Sequence, residues 1–368
     1  MKPTFIYLSY FSLTEVKDYQ QKLARYYFCY EALQHLAEHY EVYVFDVYGG
    51  PTTAFKDRKV HYRVFHQSHN HFWQIPFAMH RAISLLKPDA IYCQGLRQMY
   101  FLMFLASSLP KHTCFFVQNH AEQAPGGIKK HLLRFADKWV HTYFFSAKGL
   151  ANNWVKKRII KNEQKINELV EASTSLKPMG MTKRTGNKYL WVGRLDTNKD
   201  PLTAVKGFVA FAREFPEARL SMVYARKDLL PEIKTYLENH PEQAKQISLL
   251  GQLPHNDMAA LYQQHDFFLL ASNYEGGSIA LIEAMAFNCI PIVSDIPANR
   301  TMINQGKAGF LFPPGNTNKL IHCLKQSQTM DLAAMRKEVN LQYQNHLSYE
   351  AIAQKLHLAV QRHLHAQT

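Results

Sequence analysis

Residues 246–295 read "QISLLGQLPHNDMAALYQQHDFFLLASNYEGGSIALIEAMAFNCIPIVSD". Three apolar runs in it, "QISLLGQL", "DFFLLAS" and "IPIVSD", have the length of strands. Between them, "HNDMAALYQQH" and residues 278–287 place apolar residues at helical spacing. Strand and helix in strict alternation mark right-handed βαβ units building a parallel sheet. The alternation continues in both directions. Upstream come "YLWVGRL" (189–195), a helix opened by Pro201, which suits a first helical turn, "RLSMVYA" (219–225) and the helix-like "LLPEIKTYLENH". Downstream follow a helix over residues 297–305, the short strand "GFLF", the turn "PPGN" and a further helix.

The first half alternates less cleanly. Strand-like runs are "FIYLSYF", "YEVYVFDVY", "KVHYRVF", "AIYCQG", "TCFFVQNH" and "HTYFFSA". Among them lie helix-like regions over residues 16–39 and in "MHRAISLL", "FLMFLASSL" and "KHLLRFADKW". A chain of 368 residues exceeds what one core organises, so two α/β domains are expected. The Ser/Thr/Lys/Gly-rich stretch 171–188 marks the junction. The expected division is 1–172, 173–345 and a terminal segment, 346–368, forming a helix that returns to the first domain. Ile352, Leu356, Leu358 and Val360 supply its apolar spacing.

Composition narrows the class. At 47% hydrophobic and 20% charged the chain is an ordinary folded protein. It holds no apolar run long enough to span a bilayer, and "MKPTFIYLSYFSL" lacks a cleavage site and reads as a first buried strand. Five cysteines without a C-x-x-C pair argue for a reducing, cytoplasmic setting over a disulfide or zinc scaffold. A net charge of +14 favours an anionic partner: nucleic acid, an acidic membrane surface or phosphorylated small molecules. No nucleic-acid module is recognisable. The basic clusters at 129–134 and 155–165 read as solvated helix faces or as a binding patch, and their clustering in the first half turns the second reading toward the inner face of a membrane. The pattern sets no oligomeric state.

Ligands of open parallel sheets bind beyond the carboxyl ends of the strands, and two constellations fall there. Glu275, Gly276 and Gly277 occupy the turn after "DFFLLAS", and Ser278 suits the N-cap of the next helix. The glycines permit positive φ and close approach of a ligand, and the helix amides suit phosphate or sugar oxygens. Glu283 sits four residues after Ile279, among apolar neighbours. A carboxylate there requires a proton-donating partner, either sugar hydroxyls or an arginine. In "WVGRLDTNKDP" (191–201) a strand ends at Gly193 and the following loop carries Arg194 and Lys199. Two such cations can neutralise a diphosphate, or they form a loop of solvated charges.

"VGRLDTNKD", "GQLPHNDMAALYQQHDFFLLAS", "NYEGGSIALIEAMAFNCIPIVSD" and "GKAGFLFPPGN" together resemble, in order and spacing over residues 189–320, the C-terminal domain of retaining glycosyltransferases of family 4. These have the GT-B fold, two Rossmann-like parallel-sheet domains facing each other across a cleft. The resemblance implies transfer from a nucleotide-diphosphate sugar, UDP- or GDP-linked, to a glycan or lipid-linked acceptor, with no cofactor and no metal; no Asp-x-Asp motif is present. It implies that Arg194 and Lys199, with Gly193 and the backbone of Gly277, Ser278 and Ile279, hold the diphosphate. Glu275, with Gly276 and Gly277, would meet the donor sugar as nucleophile or positioning group, and Glu283 the ribose. His120, after the strand "FFVQ", would lie near the transferred sugar.

The chain departs from the family pattern in places. The glycine-rich turn after the first strand is replaced by "LSYFSLTE". Asn288 stands for a glycine, and Thr301 stands near a usual glutamate. The glycines expected after "VYA" are missing. An epimerase or hydrolase of nucleotide sugars, a non-catalytic nucleotide-sugar binder and a nucleic-acid binder remain alternative readings.

Overall fold

The computed structural model describes residues 2–67, 75–178, 184 and 186–365. Part of the expected junction, residues 179–183 and 185, and the last three residues of the terminal segment lie outside the described residues. The chain divides into two compact units, Met1–Ser173 with Tyr349–Thr368, and Thr174–Ser348.

The first unit begins β1 (Thr4–Ser9), α1 (Tyr19–Leu36), β2 (Glu41–Tyr48), β3 (Thr53–Asp57), β4 (Val60–His66) and α2 (Phe77–Ser84). It continues β5 (Ala90–Gln94), α3 (Leu102–Ala106), β6 (Cys114–Gln118), α4 (Gly127–Ala136), β7 (Val140–Phe145), α5 (Asn152–Lys156) and β8 (Ile166–Glu168). The sheet order is β3-β4-β2-β1-β5-β6-β7-β8. All neighbours pair in parallel except β3 with β4. β3 escaped the sequence reading because it is an edge strand without a buried residue, so burial imprinted no apolar alternation on it. Its return into β4 passes through Arg58 at φ 49°.

The second unit runs β9 (Lys188–Gly193), α6 (Pro201–Ala212), β10 (Arg219–Tyr224), α7 (Leu230–Glu238), α8 (Pro241–Ala244), β11 (Ile247–Gly251), α9 (Met258–Gln264) and β12 (Phe267–Leu270). Then come α10 (Ile279–Ala286), β13 (Ile290–Ser294), α11 (Pro297–Met302), β14 (Phe310–Phe312), α12 (Thr317–Ser327) and α13 (Leu332–Gln342). This sheet is wholly parallel in the order β11-β10-β9-β12-β13-β14. β12 and β13 are buried at every residue, which is why their sequences are continuous apolar runs. From β9 the chain winds outward through β10 and β11, then returns to β12 on the other side of β9. The carboxyl ends of β9 and β12 therefore diverge at a topological switch point, where such sheets open a crevice.

The last helix, α14 (Tyr349–His365), belongs to the first unit. Ile352, Leu356 and Val360 are buried, whereas Leu358 is exposed, so Leu358 is not part of the packing stripe expected from the spacing. Among the described residues no helix is long and apolar enough to cross a membrane, and no cysteine is disulfide-bonded.

A buried ion pair replaces the missing glycine-rich turn as the organiser of the loop after β1. Lys22 Nζ lies 2.8 Å from Asp46 Oδ2 and donates to the carbonyls of Phe11 and Val47 at 2.9 and 3.0 Å. Asp46 also accepts from the hydroxyls of Tyr19 and Tyr30. Removing one partner strands the other charge in the core. Lys22→Met is expected to cost about 3–5 kcal/mol, read as an earlier urea midpoint for the first unit. A midpoint unchanged from wild type would contradict this account.

Candidate active site

Two loops meet beyond the carboxyl ends of β9 and β12. Residues 194–200 are braced from within: Asp196 accepts from Arg194 Nε at 2.7 Å and from the Lys199 amide at 2.9 Å. Burial resists ionisation of Asp196, but the Lys199 amide and the Arg194 guanidinium outweigh it and hold the carboxyl below its usual range. Asp200, at φ 43°, then caps α6 by accepting from the Thr203 amide and hydroxyl.

The second loop, residues 272–278, is stitched to the first by two asparagines. The Asn273 amide donates to Asn198 O at 2.7 Å, Asn273 Nδ2 to Thr197 O at 2.9 Å, and Asn198 Nδ2 to Tyr274 O at 3.1 Å. Across this seam Lys199 Nζ meets Glu275 Oε1 at 2.5 Å, with both side chains largely buried.

α10 follows. Ser278 takes the N-cap position and accepts from the Leu281 amide. Gly276 and Gly277 are not among the residues of positive φ, so they serve here by lacking side chains and not by handedness. Asn288, at φ 58°, ends the helix in the left-handed conformation. Arg184 donates to the carbonyls of Tyr262, Gln263, Phe287 and Asn288, anchoring the carboxyl ends of α9 and α10 together. Glu283, near the middle of α10, is buried, and each of its oxygens has a partner: His255 Nε2 donates to Oε1 and Tyr262 Oη to Oε2, both at 2.8 Å. The proton donor that a buried carboxylate requires is thus supplied by an imidazole and a phenol, in place of the arginine considered from sequence. His255 and Tyr262 escaped the sequence reading. Their signal is their seven-residue separation in "HNDMAALYQQH", which puts both on the side facing Glu283.

A cavity of about 410 Å³ collects these groups. Gly193, Arg194, Lys199, Glu275, Gly277, Ser278, Ile279 and Glu283 line it, together with His255 and Tyr224. One end is cationic and amide-rich, while the other carries Glu283 between an imidazole and apolar walls that include Leu253 and Met258. A Cβ on Gly193 would lie 3.1 Å from the Trp191 ring and 3.6 Å from Lys199 Cδ, so a side chain there would crowd Trp191 and only touch Lys199.

His120 belongs to the first unit, two residues past the end of β6. Its Nδ1 contacts Glu171, and its Nε2 donates to Gln94 Oε1 at 2.9 Å. Burial disfavours the charged ring, but the Glu171 carboxylate overcomes this and raises the pKa above the usual histidine value. The ring thus has a carboxylate at one nitrogen and an amide oxygen at the other.

Two parallel-sheet units, one with an occupant-sized crevice at its switch point, define a GT-B type protein. Residues 157–338, just under half of the chain, match the model of the family Glycosyl transferases group 1, a span that takes in most of the second unit. Mannosylfructose-phosphate synthase of Agrobacterium fabrum is 31% identical over 115 residues, 30% of this chain and 25% of that protein. GDP-mannose:cellobiosyl-diphosphopolyprenol alpha-mannosyltransferase of Xanthomonas oryzae is 29% identical over 151 residues, 40% of this chain and 38% of that protein. The matches thus span between a quarter and two fifths of these relatives' length. A glycosyltransferase structure from Rickettsia africae covers 99% of both chains at TM-score 0.70 and 15% identity, which establishes likeness of fold.

The hydrogen bond to Glu283 raises the pKa of His255 above its ordinary value, against the partial burial of the ring. Because the folded-state value is the higher one, the stabilisation is full below about pH 6.5, the unfolded value, and fades as pH rises through the folded value. A His255→Gln variant should therefore melt below wild type at acidic pH and approach it at alkaline pH. A melting-temperature difference that stays constant across pH would contradict this.

Proposed function

We propose that the chain is a retaining glycosyltransferase of the family-4 kind. It moves a sugar from a UDP- or GDP-linked donor to a glycan or lipid-linked acceptor at the inner face of a membrane, without a metal. The observation that carries the reading is the polarity of the cavity: cations and helix amides at one end, the buried and doubly oriented Glu283 at the other, and Glu275 between the loops. A nucleoside diphosphate has this polarity, with ribose hydroxyls as donors and phosphates as acceptors. The family match of the second unit supports the class, and the lipid-linked acceptor draws support from a relative named for transfer to a diphosphopolyprenol.

In this reading the leaving group is a nucleoside diphosphate, and its developing charge is met by Lys199, Arg194 and the amides at Gly277, Ser278 and Ile279. Pre-placed donors aimed at that charge supply the stabilisation a metal would otherwise give. Lys199 offsets the charge of Glu275, which favours Glu275 as a group that positions the sugar with Gly276 and Gly277 over one that attacks it. Front-face attack follows, the acceptor hydroxyl passing its proton to the departing phosphate. His120, paired with Glu171, is assigned a hydrogen bond to the transferred sugar.

Thermal-shift screening with UDP- and GDP-sugars should raise the melting temperature for one donor class. With that donor, Glu275→Ala should lower turnover at least about a hundredfold while donor affinity stays within a few-fold. Unchanged turnover would sink the assignment. Glu283→Ala should instead weaken nucleoside diphosphate binding by about tenfold or more, as expected for a lost charge-assisted hydrogen bond; calorimetry showing unaltered affinity would refute the ribose role. Free sugar or an isomerised donor formed without any acceptor would identify the epimerase or hydrolase reading instead.

A further inference from the structure

The basic clusters at residues 129–134 and 155–165 take no part in the cavity, yet the first unit brings them together. Lys157 donates to the carbonyl of Ala124 ahead of α4, and Lys165 Nζ donates to the carbonyl of Asp137 just past its end, at 2.8 Å. The second cluster therefore spans α4 from one end to the other.

α4 turns Leu133 and Ala136 into the core, both fully buried. Its other face is apolar as well. Ile128 is 73% exposed and Phe135 54%, with Leu132 and Trp139 half-buried in the same row. These positions fall at i, i+4, i+7 and i+11, a single stripe. Lys129, Lys130, Arg134 and Lys138 flank it, and α4 contains no acidic residue. Lys138 Nζ sits 3.9 Å from the Phe135 ring centroid and 4.0 Å from that of Trp139, keeping a cation directly over the apolar row.

An exposed apolar stripe with a wholly cationic border needs an occupant that is both anionic and apolar. Nucleic acid would meet the charge but leave Ile128 and Phe135 in water. A second copy docked by the same face would set like charges against each other. We propose that α4 and the adjoining segment 155–165 form a membrane-binding face, on which Ile128 and Phe135 enter the acyl boundary, Leu132 and Trp139 back them from the core, and the lysines and arginines bind anionic headgroups. The proposal shares with the functional reading only the membrane-proximal setting and does not depend on the transfer chemistry.

The test is sedimentation of the full chain with vesicles of phosphatidylcholine alone or mixed with phosphatidylglycerol, without sugar donor. Wild type should pellet with the anionic vesicles, and salt should weaken the binding. The double variant Ile128→Ser/Phe135→Ser should partition at least about tenfold more weakly, and Lys130→Gln/Arg134→Gln about fivefold more weakly for each charge removed. The thermal shift given by the nucleoside diphosphate should be the same in all three, showing that the variants fold and that donor binding stands apart from this face. No binding to anionic vesicles, or equal partitioning of variants and wild type, would overturn the proposal. So would an apolar double variant that lost only self-association, which would make the face an interface between copies.

Discussion

The second unit depends on one contact, the ion pair between Lys199 and Glu275 across the seam of two loops. Both loops begin where parallel strands end, and β9 and β12 are neighbours whose connections leave in opposite directions. Open ends of this kind do not hold themselves together. Here Asp196 ties the first loop internally, Asn198 and Asn273 lace it to the second, and the ion pair closes the seam. A buried pair of this sort contributes little net stability, because desolvation offsets much of the attraction. Its consequence is geometric: a cation and a carboxylate are fixed in place at the mouth of a cavity before any ligand arrives.

The same economy appears around Glu283. A lone carboxylate among apolar residues would protonate or find water. His255 and Tyr262 each donate to it and aim it, and each of its oxygens retains a lone pair for a ligand hydroxyl. Arg184 and Asn288 fix the far end of α10, so the helix that presents Ser278 and Glu283 is anchored at both termini.

Much of this was legible in the sequence, and the reasons are physical. Fully buried parallel strands must be apolar throughout, so "DFFLLAS" and "IPIVSD" announced themselves, and loops between strand and helix must carry whatever chemistry the sheet presents. Glu275, Arg194 and Lys199 fall where that rule puts them, and Glu283 lies on the helix that follows. What stayed illegible were features held by few residues or by pairs distant in sequence. The edge strand β3 buries nothing, and the asparagine lacing joins positions 75 residues apart and more. His255 and Tyr262 look like ordinary helix residues until Glu283 is set beside them. In the first unit, Lys22 and Asp46 replace the glycine-rich turn through a contact no motif encodes. The two basic clusters read as separate until the fold brought Lys157 and Lys165 to opposite ends of α4.

The most direct measurement is a crystal structure of the chain soaked with the nucleoside diphosphate that stabilises it. The account requires the ribose at Glu283, the phosphates at Arg194 and the amides of residues 277–279, and Lys199 Nζ within hydrogen-bonding distance of a phosphate oxygen. A nucleotide seated away from the β9–β12 switch point, or phosphates that leave Lys199 bound to Glu275 alone, would contradict it.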